Sequence, residues 1–225
     1  MNRAFLSFSK SLSILALAAS SLVSVASANE TAHAAKPVKA DPAKGDALYN
    51  NGDATRGIVA CVSCHGAAGN STISVNPKLS GQHEAYLVKQ LMDFTTPARN
   101  NAVMTTFSKL MTAEDMKNVA AFLAVQKPKA GAAKNKDIVN LGQTIYRAGI
   151  AEKNVAACAG CHSPNGAGIP AQFPRIAGQH QDYTIAQLTA FRTGVRKNSA
   201  QMVTLAKRMS DDEIKAVADY IAGLK

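Results

Sequence analysis

Cys61-Val62-Ser63-Cys64-His65 returns 97 residues later as Cys158-Ala159-Gly160-Cys161-His162. Two thiols separated by two residues and followed at once by histidine form the attachment signature of a c-type haem. The spacing follows from the chemistry. Each thiol pair must span two vinyl groups on one porphyrin edge, and the adjacent imidazole must be delivered beneath the ring to the iron. Paired cysteines also occur in redox disulfides and zinc sites. A four-sulfur zinc site, however, leaves no reason for a histidine after both pairs. The reading therefore assigns Cys61, Cys64, Cys158 and Cys161 to thioether bonds with two covalently bound haem c groups. His65 and His162 become iron ligands, and all four cysteines of the chain are used.

Working outward, the two halves align at the same offset of 97. Gly45 meets Gly142, Tyr49 meets Tyr146, Gly52 meets Gly149 and Pro77 meets Pro174. Gly81-Gln82-His83 matches Gly178-Gln179-His180, and Arg99 matches Arg196. One inserted residue then moves the offset to 98, pairing Met104 with Met202, Met111 with Met209 and Phe122 with Tyr220. The chain is a tandem duplication with one haem in each unit.

Residues 1–28 read as a cleavable signal peptide. Arg3 and Lys10 precede the apolar run 12–19, and Ala26-Ser27-Ala28 is a small-residue cleavage site. A retained membrane anchor is the competing reading. The remaining organisation is a flexible leader at 29–40, a first haem domain at 41–125, a linker at 126–136 and a second haem domain at 137–225. Four lysines, a proline and a glycine in the linker suit an exposed connector without a core of its own. Export places the chain in the periplasm, outside the cytoplasm, where covalent haem attachment is completed.

Each haem unit is short and poor in aromatic residues, so a bound macrocycle would supply part of the apolar body. The formal net charge is +10, and losing residues 1–28 would leave +8. Those cations are scattered and lack interleaved aromatics, which excludes a nucleic-acid platform. An acidic protein partner or a membrane surface is the better use of the excess. The two units are unequal. Residues 138–225 carry ten Lys/Arg against six Asp/Glu, and residues 42–125 carry seven against six.

The pattern is all-helical. Asp41-Pro42 opens a helix ending near Gly52, and Asp137 opens its counterpart ending near Gly149. Second helices are expected over 83–95 and 180–193. Third helices begin at Thr112 and Ser210, the latter with the capping-box pattern Ser210-Asp211-Asp212-Glu213. A second axial ligand decides whether each iron carries electrons or admits a substrate. Met111 and Met209 immediately precede helix caps and have apolar residues, Met116 and Ile214, four positions into the helix, which is a structural staple. Met104 and Met202 fall in stretches with no evident apolar period, 100–110 and 198–208, and are assigned to the iron of haem 1 and haem 2.

These residues resemble a small class I cytochrome c repeated twice, and most closely the dihaem cytochrome c4 family, over nearly all of the mature chain. The resemblance implies that the Pro77 and Pro174 carbonyls hold the His65 and His162 imidazoles. It also implies that Gly45 and Gly142 permit close helix crossings near Phe122 and Tyr220. Function follows as an electron carrier between a respiratory donor, such as a quinol-oxidising complex, and a terminal oxidase or another redox partner protein. The alternative is the dihaem subunit of a flavocytochrome dehydrogenase. A dihaem peroxidase or gas sensor would need an open iron, against which the paired methionines argue. His83 and His180 are expected at the surface or as helix caps. Arg99 and Arg196 are left between haem propionate partners and solvated helix ends, and Tyr86 and Tyr183 between packing and a polar role.

Overall fold

The computed structural model describes residues 39–225. Residues 1–38, on which the expected signal peptide and most of the expected leader with His33 fall, lie outside the described residues. Ten α-helices occur here: α1 (Pro42–Asn51), α2 (Val62–His65), α3 (Glu84–Phe94), α4 (Ala102–Leu110), α5 (Ala113–Ala124), α6 (Val139–Ala148), α7 (Ala159–His162), α8 (Gln181–Thr193), α9 (Ala200–Ala206) and α10 (Asp211–Gly223). Among the described residues there is no β-sheet, only isolated bridges. The first five helices form one repeat and the last five form the other.

Local chemistry explains the helix boundaries. The Asp41 carboxylate accepts from Ala43 N at 2.9 Å and Lys44 N at 3.4 Å, with Pro42 occupying the first helical position. Thr112 with Asp115, and Ser210 with Glu213, form reciprocal capping boxes. The opening expected at Asp137 is displaced: α6 begins at Val139 without a side-chain cap. Asn135 takes the Asp137 N–H at 3.0 Å, and Asp219 of α10 accepts from Lys134 N and Asn135 N. The start of α6 is therefore fixed by a distant helix rather than by its own aspartate.

The first and last helices of each repeat make its main crossing. A Cβ on Gly45 would stand 2.0 Å from the Asn118 carbonyl oxygen, and one on Gly142 would stand 2.0 Å from that of Ala216. Only glycine allows backbones so close. Gly142 lies beside Tyr220 as expected, and Gly45 meets Asn118 and Val119 at the matching crossing; Phe122 packs on Tyr49 and Tyr220 on Tyr146, with ring centroids 5.4 Å and 5.5 Å apart. Around these crossings sit the apolar cores, with Leu48, Tyr49, Leu87 and Leu123 in the first repeat. Ile145, Tyr146, Ile214, Val217 and Ile221 do the same in the second.

One ion pair recurs in both repeats with different residues. Arg56 Nη1 reaches Asp115 at 2.6 Å, and Lys153 Nζ reaches Glu213 at 2.6 Å. Each fastens the loop before the cysteine pair to the first turn of the last helix. The segment 126–136 is more tightly held than its lysine-rich composition implies. Lys129 N donates to Asn70 Oδ1 at 2.7 Å, and Gly131 lies against the Ala222 and Gly178 carbonyls, where a Cβ would come within 2.5 Å and 2.9 Å. Its side chains are exposed, but its backbone is anchored to both repeats.

Candidate haem-binding sites

Each cysteine pair lies on a single helical turn. His65 N donates to the Cys61 carbonyl at 2.9 Å, and His162 N donates to that of Cys158 at 2.9 Å. One turn leaves Cys64 and Cys161 exposed, half-buries Cys61 and Cys158, and turns both imidazoles inward. No disulfide joins these cysteines, and burial pushes the thiols of Cys61 and Cys158 up to about 11, above those of ordinary cysteines. The two histidines are each only 8 % exposed.

The turn that follows is fixed by a tyrosine, a contact absent from the sequence reading although Tyr49 and Tyr146 pair across the halves. Tyr49 Oη donates to the Gly66 carbonyl at 2.6 Å and accepts from Gly69 N at 3.1 Å. Tyr146 Oη donates to the Ser163 carbonyl at 2.6 Å. Burial raises both phenols above their ordinary range, so they remain protonated donors.

Imidazole state is set by burial and one carbonyl. Nδ1 of His65 is 3.1 Å from Pro77 O, and Nδ1 of His162 is 3.0 Å from Pro174 O. Burial lowers both histidine pKa values, which the proline carbonyls oppose. A neutral ring whose Nδ1–H serves proline keeps its lone pair on Nε2, the state needed to bind a metal.

In the second repeat a largely apolar cavity of about 490 Å³ is lined by Cys158, Cys161, His162, Met202 and Met209. It extends beneath Gln82, Tyr86 and Gln90 of the first repeat. A thiol pair at the edge, a neutral imidazole and thioethers in one apolar cleft suit a flat macrocycle bound through its vinyl edge and iron. Both methionines reach this cavity, but Met209 is buried in the same core cluster as Ile214. In the first repeat Met111 packs on the core and Met104 is half-buried.

The stretches around Met104 and Met202 are helices, not irregular loops. Asn101 Oδ1 accepts from Met104 N at 2.9 Å, and Ser199 Oγ from Met202 N at 3.3 Å, capping α4 and α9. Their only buried residues are small, Ser108 and Ala206, although α4 carries apolar residues at helical spacing, Val103, Phe107 and Leu110. The Ser108 hydroxyl has no partner among the described residues, and its counterpart is alanine, one concrete inequality between the repeats.

The paired histidines and arginines join the repeats. His83 Nε2 lies 3.0 Å from Ala167 O and His180 Nε2 lies 3.0 Å from Ser71 O, and neither side chain caps its helix. Arg99 and Arg196 are 7 % exposed, which overturns the solvated-helix-end reading. Arg99 donates to Gln90 Oε1 at 2.6 Å and Tyr183 Oη at 2.9 Å. Arg196 donates to Gln187 Oε1 at 2.9 Å, Gln90 Oε1 at 3.0 Å and Tyr86 Oη at 3.2 Å. Spacing gave the pairing of these residues, but not that each would meet the other half.

Fold and site together define an all-helical, tandem haem-binding protein built for electron transfer. The sequence model for cytochrome c matches residues 42–127 and 139–225. The chain is 42 % identical over 195 residues to cytochrome c4 of Thiocapsa roseopersicina, spanning 85 % of this chain and 96 % of that one. It is 38 % identical over 192 residues to a thiosulfate dehydrogenase electron acceptor of Stutzerimonas stutzeri, spanning 83 % and 89 %. Among solved structures, reduced recombinant cytochrome c4 from Pseudomonas stutzeri superposes with a TM-score of 0.75 at 33 % identity, covering 84 % of this chain and all of that one. The chain belongs to the cytochrome c family, in its dihaem cytochrome c4 group. It carries two covalent haem c groups and is an electron carrier rather than an enzyme.

Proposed function

We propose that the protein is a periplasmic shuttle that takes electrons singly from a quinol-oxidising complex and delivers them to a terminal oxidase. Cys61 and Cys64 hold haem 1, with His65 and Met104 on its iron. Cys158 and Cys161 hold haem 2, with His162 and Met202 on its iron. The haem supplies one-electron chemistry at iron, and the chain's residues set its orientation, ligands and exposure. The observation carrying this reading is the doubled buried imidazole with its Nδ1 held by proline, at 3.1 Å and 3.0 Å, beside a paired-thiol turn. Exposure of Cys64 and Cys161 leaves one edge of each site at the surface for a partner to approach. No helix among the described residues is long and apolar enough to cross a membrane. The scattered positive surface supports docking on an acidic partner or an anionic membrane face.

A second reading follows from the relative named a thiosulfate dehydrogenase electron acceptor. In that reading a dehydrogenase, rather than a quinol-oxidising complex, is the donor, which keeps the same haem sites. Stopped-flow reduction separates the two. The shuttle reading requires rapid reduction by quinol-oxidising membranes and rapid reoxidation by oxidase-containing membranes. Reduction only by a thiosulfate-oxidising fraction would replace it with the dehydrogenase reading.

A further inference from the structure

The peptide units that hold the two axial histidines are gripped by the opposite repeat. The Pro77–Lys78 unit presents its carbonyl to His65 Nδ1 at 3.1 Å, while its N–H donates to Gln179 Oε1 at 2.9 Å. In mirror fashion the Pro174–Arg175 unit presents its carbonyl to His162 Nδ1 at 3.0 Å, and its N–H donates to Gln82 Oε1 at 2.9 Å. The amides are fixed at their other ends too. Gln179 Nε2 donates to Lys78 O at 3.0 Å, and Gln82 Nε2 donates to Arg175 O at 2.8 Å. Each Oε1 also takes the N–H of the next residue in its own repeat, at 3.1 Å for His180 and 3.0 Å for His83. With every amide atom engaged, the orientation of neither glutamine is free to invert.

We infer that Gln179 tunes the reduction potential of haem 1 and Gln82 that of haem 2, each acting across the repeat boundary through one peptide unit. This rests on His65 and His162 being the iron ligands. A peptide unit is conjugated, so an acceptor on its N–H pushes electron density toward its carbonyl oxygen. A more negative Pro77 oxygen strengthens the His65 Nδ1–H bond and makes the imidazole a stronger donor. Stronger donation favours the ferric state, which lowers the potential. Gln179 is thus a positioning residue for haem 1 although it belongs to the second repeat, and Gln82 is the reciprocal residue for haem 2. Each repeat's ligand field therefore depends on correct docking of the other.

The test uses the full-length holoprotein, with the two haems resolved by NMR during a redox titration. Gln179→Leu should raise the potential of haem 1 and leave haem 2 in place, and Gln82→Leu should raise haem 2 alone. In the reduced protein the His65 Nδ1–H resonance should move upfield in Gln179→Leu. Gln179→Glu retains the acceptor and should keep that resonance at or downfield of its wild-type position, which also serves if the leucine variant fails to fold. A shift confined to the variant's own repeat, an equal shift of both haems, or no shift overturns the proposal. Failure of the underlying ligation reads differently: the wild-type histidine resonances would then lack the strong ring-current displacement of an iron-bound imidazole.

Discussion

Arg99 and Arg196 face each other across the repeat boundary in a short antiparallel bridge. Each guanidinium stacks on its own repeat's phenylalanine, 4.2 Å from the Phe94 centroid and 4.3 Å from that of Phe191. Two buried cations are tolerated because glutamine and tyrosine oxygens of both repeats take their N–H groups. Burial opposes ionisation of Tyr86, but the guanidiniums of Arg196 and Arg99 outweigh it and hold that phenol below its ordinary range.

Replacing one arginine should loosen the repeats without releasing haem. Arg196→Leu leaves the Tyr86 oxygen without its donor, while Gln90 and Gln187 keep Arg99, and should cost about 1–3 kcal/mol, since a buried acceptor left unpaired is expensive. Calorimetry should show an earlier transition, and small-angle scattering an increased radius, with unchanged haem content. Arg196→Lys should recover little, because an ammonium cannot reproduce the planar fork or the stacking.

The methionine assignments separate by two different measurements. Met104→Ala and Met202→Ala should each open one reduced haem to carbon monoxide while covalent haem is retained. Met209→Ala should leave both haems closed and instead lower stability by about 2–5 kcal/mol, the usual cost of emptying a buried site. Carbon monoxide binding by the Met209 variant but not the Met202 variant would reverse the assignment.

Helix crossing admits an equally sharp test. Gly142→Ala places a methyl 2.0 Å from the Ala216 carbonyl oxygen, so α6 and α10 must separate. The expected loss is about 1–3 kcal/mol or more, as for an overpacked core, seen as a lower melting temperature. Gly160→Ala, at a position with nothing within 4 Å, should pass unnoticed in the same assay.

Acid should erase the contribution of Arg56. Hydrogen bonds from Thr55 and then Arg56 lower Asp53 from 3.8 to about 2. Burial opposes ionisation of Asp115, but Arg56 and Thr112 hold it below its ordinary value. Folded-state carboxylate pKa values are depressed, so this stabilisation is complete above the unfolded value near 3.8 and disappears as pH falls toward 2. Arg56→Met should therefore melt earlier at neutral pH, with the gap from wild type closing between about pH 4 and pH 2. A gap unchanged down to pH 2 would mean that Arg56 acts through packing alone.

The cysteine spacing, the doubled histidine and the constant offset of 97 determined the cofactor class and the tandem helical plan, because covalent attachment demands those residues at that spacing. Helices α1, α5 and α10 were legible from cap residues or apolar periods, and α3 and α8 from the repeated Gly-Gln-His that precedes them. Helices α4 and α9 were missed although signals for them were present, Val103, Phe107 and Leu110 at helical spacing in α4 and the cap residues Asn101 and Ser199. Nor could the start of α6 be placed from Asp137, since Asp219, 84 residues beyond Asn135, holds its approach. Tertiary structure alone decided what Gln82, Gln179, His83, His180, Arg99 and Arg196 do. Each has a partner in the opposite repeat, and hydrogen bonds between segments about a hundred residues apart leave no local periodicity to read.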